Sequence, residues 1–596
     1  MSDYNLSSRT QVPIIKVTDT DGISSNQSAS LQQHPVFTKQ SPRPGYDAIQ
    51  HQDLSNPDHS PETSASSKGL GPRRHPLPAF CRLPRELRDM VYKFYIPETD
   101  GLVYDPETRN FMTTSGESIN LSFAYTCRAI YDELWERAFK LNSIIFHTAF
   151  CETNRQDAGL WHGGISKLDL YKENLVDLMA RRYMTTAIED EIATSYPQFK
   201  PILSKWRAGG EVTWFSNGHD WGETPSIYRD FISHVLKVLA KHPKFPRKNT
   251  DWTRNLGMPQ DRRDTYCNVL ELINFHPDPW TIPNAEDLRH LQYVSGVTTR
   301  SPRFYNDTVK YRLSAASTAI RFLENPPMMV RKHIRNIRNI KLMEDRESIA
   351  HPECHMRGLI PFCRELPGLR IERSINLWTT AYPFHEPHPW QTVRWDNDTF
   401  ARARVNWSMP PRIATKFGDV KCVSRAIARW MTEASALQSL GMPPGAFTLL
   451  FDGNPCPELA HHIFRTVFQR DAAWQTALDM SYGYMSYGYM SYGYEAWGGL
   501  SQPSWFERRR RLGYMYEDSP RLVRDMNVGG ALIRCNFDIG HEHSAEKIAA
   551  ELQYSGIGGW EKRWHEHQIS WDNADLQPFQ PLPDWRALRG KHLIPT

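Results

Sequence analysis

Residues 80–92 read Phe80-Cys81-Arg82-Leu83-Pro84-Arg85-Glu86-Leu87-Arg88-Asp89-Met90-Val91-Tyr92, and folded structure is predicted to start just before them, near residue 77 of 596. From Pro84 the apolar residues Leu87, Met90, Val91, Phe94 and Tyr95 recur at three- and four-residue spacing. Pro84 suits a first helical turn and Pro97 closes the run, so the pattern predicts a short amphipathic helix. Downstream, Leu102-Val103-Tyr104 and Phe111-Met112 flank an Asp105-Pro106 turn and predict a hairpin. A second helix is predicted from about Asn120, with Ala124, Cys127, Tyr131, Leu134 and Ala138 on one face. Ser143-Ile144-Ile145-Phe146-His147 then has the branched and aromatic content of a strand.

Upstream of this module the composition changes. Residues 1–76 contain no Trp and no Cys and are rich in Ser, Thr, Gln, Asp and Pro. Such a stretch cannot bury enough apolar area to offset the entropy of ordering it, which predicts a disordered tail. The whole chain is 40% hydrophobic, 23% charged and 12% aromatic, the balance of a globular protein rather than a collagenous or membrane one. At roughly 100–200 residues per domain, its length predicts two to four compact units. A net charge of +4 gives no whole-molecule field that would mark a nucleic-acid or membrane-surface binder. The nine cysteines are scattered and form no C-x-x-C pair, so neither a disulfide framework nor a zinc ribbon is indicated. With a polar N-terminus and no apolar run of spanning length, the expected location is cytoplasmic or nuclear, with no membrane partner.

Downstream, helices are expected over 168–182 and 227–240, and a helix from Arg312 is expected to pass into a strand at Ile334, Ile337, Ile340 and Leu342. Later segments alternate helix (420–440), strand (446–451), helix (457–479), strand (529–538) and helix (544–554). The pentapeptide Met480-Ser481-Tyr482-Gly483-Tyr484 repeats three times over 480–494, and a glycine at every fifth position predicts a flexible loop. The fold class is therefore α+β. It comprises the tail, a module at 77–150, a mixed region at 151–311 and a Trp-rich α/β region at 312–596.

The stretch 80–92, followed by Cys127-Arg128-Ala129-Ile130-Tyr131-Asp132-Glu133-Leu134, resembles the F-box-like module of many filamentous-fungal proteins; Leu83-Pro84-x-Glu86-Leu87 matches the opening of an F-box. Ser314–Leu323, His351–His355 and Gly358–Cys363 resemble further segments of the same families. The resemblance implies a protein-interaction role, in which Leu83, Pro84, Leu87 and Val91 dock on the small adaptor subunit of a cullin–RING ubiquitin ligase while the C-terminal region selects a target. The competing reading makes the same residues internal core, and a hairpin in place of the usual second helix favours that outcome for Leu87.

No catalytic residue and no cofactor is assigned. The P-loop, G-x-S-x-G, H-E-x-x-H and EF-hand patterns are all absent. His351, Cys354, His355 and Cys363 supply zinc-type ligands within 13 residues, but in a spacing that favours packed loop residues. His541, His543, His565 and His567 form a second candidate set, read first as a solvated polar face, so no metal is expected. Arg508-Arg509-Arg510-Arg511 offers an import signal or a phosphate patch, against a solvated, salt-bridged helix.

Overall fold

The computed structural model describes residues 79–95, 101–117, 119, 122–210, 212, 221–245, 268–297, 311–381, 420–484, 503–511, 513–553, 555, 559–560 and 562–564. The predicted tail, the second and third repeats of the pentapeptide, His565 and His567 lie outside them.

Seven strands form one sheet in the order β2-β1-β3-β4-β5-β6-β7. They are β1 (Leu102–Asp105), β2 (Asn110–Met112), β3 (Ser143–His147), β4 (Asn339–Glu344), β5 (Arg370–Asn376), β6 (Phe447–Asp452) and β7 (Ile533–Cys535). The β1–β2 hairpin is antiparallel and every other pairing is parallel. With helices as well as this mixed sheet, the fold is α+β, as the sequence predicts. Beyond the hairpin, each new strand adds on the same side of the last. Right-handed crossovers made repeatedly in one direction stack their helices on one face.

Burial follows that rule. Ile144, Ile340, Ile371 and Phe447 lie in one register row, and Phe146, Leu342, Arg373 and Leu449 in another. All eight are buried. On the opposite face His147 and Arg534 are exposed, and Lys341, Glu372, Thr448, Leu450 and Asp452 are half-buried. The strand periodicity of two therefore sorts a buried, mainly apolar face from a more polar and largely half-buried one, on which Ile145 and Ser374 are nevertheless covered.

The module at 77–150 does not stand apart from this sheet. Its hairpin pairs with β3, which pairs in turn with β4, and Tyr92, Phe111, Trp135 and Phe139 share a core with Ile320, Ile371 and Phe451. The described residues from Ala79 onward belong to one compact unit. The first helix, α1, spans Arg85–Tyr95 and the second, α2, spans Arg128–Leu141. The second starts later than its apolar spacing predicts. Cys127 is extended, at φ −161° and ψ 159°, and caps the helix by accepting the Ile130 N–H on its sulfur, so 124–126 forms only a separate single turn.

Between β3 and β4 the chain makes a long helical excursion. It includes α3 (Arg155–Tyr183), α4 (Thr186–Ser195), α5 (Lys200–Arg207) and α6 (Pro225–Leu239), with a core of its own centred on Leu175, Phe199, Trp206, Phe231 and Leu236. Phe199 and Phe231 stack at 4.2 Å between centroids. The first copy of the pentapeptide is not a loop. It forms the end of the helix Gln469–Tyr484, where Met480 and Tyr482 pack against the cluster of Trp474, Trp560 and Trp564. Aromatic burial there outweighs the roughly 1 kcal/mol helix cost of a glycine.

Candidate docking face and buried polar seam

The first helix lies with its apolar stripe outward. Leu83 is 38% exposed, Leu87 47%, Met90 59%, Val91 42% and Phe94 87%. Pro84 is exposed as well. These five account for half of the ten exposed large apolar side chains among the described residues. Leu87 is thus not internal core, contrary to the expectation above.

The polar and aromatic side of α1 is what joins it to α2. Arg88 makes a two-pronged bond to Glu133, at 2.8 Å from Nε and 2.6 Å from Nη2, and the Tyr92 hydroxyl donates to the same carboxylate at 2.8 Å. Arg85 reaches Glu136 at 3.4 Å, and Arg137 reaches Asp89 at 3.6 Å. Tyr92 itself is fully buried, edge-on to Phe80 at 5.7 Å. The bonds from Arg88, ahead of the opposing effect of burial, hold the Glu133 carboxyl below its usual range. The geometry inverts the usual rule for a surface helix, in which the apolar stripe faces the core. Sequence reasoning selected Leu83, Pro84, Leu87 and Val91 for this face. Met90 and Phe94 complete it, and the same spacing of three and four residues already placed them there.

The histidine and cysteine candidates are distributed differently. His351 meets Asp169 at 2.9 Å through Nε2. Cys354 receives Arg229 Nη2 at 3.0 Å. His355 is buried, with Nε2 donating to the Ala350 carbonyl at 2.7 Å, so Nδ1 is the acceptor toward the hydroxyls of Ser314 and Ser317 at 2.7 and 3.1 Å. Burial drives His355 well below its ordinary value and keeps it neutral. Cys363 lies in the apolar core. The four side chains are therefore used singly, each by a different partner. His543 bonds the Arg465 carbonyl at 2.8 Å, and among the described residues no group of three metal-type ligands comes together.

Around His351 runs a polar seam joining the helical excursion to the sheet. Arg357 pairs with Asp230 at 2.6 Å, and Ser226 donates its N–H and hydroxyl to Glu433 at 2.8 and 2.7 Å. At its centre Arg373 and Glu344 pair at 2.6 Å with 1% and 0% side-chain exposure, and Glu344 accepts the N–H groups of Ala315 and Ala316 at the start of the helix Ala315–Glu324. Burial raises Glu433 to about 6.

The arginine run closes the short helix Trp505–Arg510 and is salt-bridged as expected, but it is more buried than a solvated face. Arg508 bridges Asp479 and Glu517. Arg509, 6% exposed, sits between Glu223 at 3.2 Å and Glu517 at 3.0 Å and stacks over Trp505 at 4.1 Å. Arg511 pairs with Asp479 at 2.6 Å. Of these residues Arg509, Glu223, Glu517 and Trp505 border a polar cleft of about 320 Å³ that Thr224, Thr432 and Asp518 also line, where burial raises Glu223 to about 7. Sequence reading missed Glu223 and Glu433 because their partners lie some 200 residues away or more. The chain matches no family model, no curated protein and no solved structure.

Proposed function

We propose that this chain is a non-catalytic protein-interaction protein that uses the outer face of α1 to bind a partner, and that the partner is the small adaptor subunit of a cullin–RING ubiquitin ligase. The observation that carries the reading is the inverted helix: its charged and aromatic side holds the fold together, while Leu83, Leu87, Met90, Val91 and Phe94 stay in contact with water. A contiguous apolar strip of this kind is the usual mark of a protein-binding surface. Its resemblance to the opening of an F-box supports the choice of adaptor. Target selection would then fall to the remainder of the chain.

The experiment is a pull-down of purified adaptor by the full chain and by Leu87→Ala, with thermal melting of both. The expected result is weakened adaptor binding at an almost unchanged melting temperature, since Leu87 is half exposed. No binding by the unaltered chain, or equal binding by both, would remove the adaptor reading.

A further inference from the structure

Cys81 and Cys127 lie 46 residues apart in sequence, yet their sulfurs are 3.8 Å apart. Both side chains are half-buried, so small solutes can reach them. Cys81 belongs to the single turn Ala79–Arg82 that leads into Leu83, and Cys127 caps α2. The other described cysteines are placed otherwise: Cys354 and Cys363 are buried, Cys456 and Cys535 are half-buried against the main core, and the Cys151 sulfur faces the Thr153 hydroxyl at 2.9 Å. Closing a bond of about 2.05 Å between Cys81 and Cys127 brings the sulfurs about 1.8 Å closer, a shift the one-turn segment Ala79–Arg82 can take up.

We propose that Cys81 and Cys127 form an oxidisable dithiol, converted to a disulfide by a peroxide and restored by a thiol reductant. Cys127 makes the first attack, because the Ile130 N–H and the start of a 14-residue helix point at its sulfur. Burial, then the contact with Cys127, pushes the Cys81 thiol up, so it is the second thiol to react rather than the first. In the first step the Cys127 thiolate attacks one peroxide oxygen. The S–O bond forms, the O–O bond breaks, and the leaving hydroxide takes up a proton as water. In the second step Cys81 attacks the Cys127 sulfur. The S–S bond forms, the S–O bond breaks, and the hydroxyl departs as water with the Cys81 proton. Two thiols are oxidised and one hydrogen peroxide is reduced to two waters. The bond would tie the turn preceding α1 to the start of α2, independently of whether α1 binds an adaptor.

The test treats the reduced full chain with hydrogen peroxide, alkylates the remaining thiols and maps the peptides. The expected product is a Cys81–Cys127 cross-linked peptide, lighter by two hydrogens than the two thiol peptides. It should form before other cysteines react and disappear on adding dithiothreitol. The oxidised chain should melt a few degrees higher, since a cross-link over 46 residues restrains the unfolded state. In Cys81→Ser, Cys127 should be trapped as a sulfenic acid by dimedone, and in Cys127→Ser, which keeps a capping oxygen, Cys81 should stay reduced. Full alkylation of both thiols after peroxide, or cross-links spread over other cysteine pairs, would overturn the proposal.

Discussion

Gly358 has no room for a methyl group. A Cβ there would lie 2.5 Å from Ile320 Cδ1, in the main core, and 2.6 Å from Trp280, which packs against that core. Gly358→Ala should therefore destabilise the protein by about 1–3 kcal/mol, read as a lower urea midpoint with unchanged slope. The reason for this glycine could not be read from the stretch Gly358–Cys363, because both neighbours come from other parts of the chain. His355 makes the same point. Its residue type and its place beside Cys354 hinted at metal binding, whereas its actual partners, Ser314 and Ser317, are set by a helix start 41 and 38 residues earlier. A single sequence gives the inventory of donors and acceptors near a position, but not which ones the fold brings within 3 Å.

At the scale of elements, α1 was legible in its existence and in its stripe, since periodicity depends on spacing alone. Which face turns inward was not legible. That choice rests on Glu133, which one turn of α2 presents to Arg88 and Tyr92 together. Two substitutions separate the faces. Tyr92→Ala should cost about 3–5 kcal/mol, through a large core cavity and the loss of a bond to a buried-side carboxylate. Leu87→Ala, on the wet side, should cost under about 1 kcal/mol. Equal losses in chemical denaturation would mean that the two sides do not differ as described. Strands β1, β2, β3 and β6 were read within a few residues of their observed ends, whereas β4 starts at Asn339 rather than Ile334, β5 was not singled out, and β7, at three residues, is shorter than the predicted 529–538. The first Met480–Tyr484 copy was misread because glycine spacing was weighed without the tryptophans that hold its neighbours.

For the whole molecule, the seam between the helical excursion and the sheet sets a pH dependence. Glu223 and Glu433 sit above their ordinary value of 4.5, at about 7 and about 6, in both cases chiefly through burial. The folded state thus binds more protons than the unfolded state between roughly pH 4.5 and 7. The stabilisation from these two groups is complete below about pH 4.5 and is lost as pH rises through 6 and 7, with a slope of up to about 1.4 kcal/mol per pH unit for each proton. Asp230, Glu353 and Glu517 are shifted the other way, so their contributions are lost only in stronger acid. Replacing both raised groups, Glu223→Gln and Glu433→Gln, should remove this fall in stability between pH 5 and 7 and leave the opposite slope that the depressed His355 imposes below its ordinary 6.5. An unaltered slope in denaturant titrations at several pH values would contradict this assignment.

The strand order also has a meaning in time. β3 ends at His147, and its next neighbour in the sheet, β4, does not begin until Asn339. At about 5–20 residues per second of synthesis, one edge of β3 waits roughly 10–40 s for its mate. During that interval the intervening segment acquires every fully buried residue of its own core, Leu175, Phe199, Trp206, Phe231 and Val294 among them, while Trp505 and Phe506, which cover part of it, follow later. The newborn chain should therefore close its middle before its beginning, with the unmated edge of β3 as the site where an unfinished copy is most prone to pair with another.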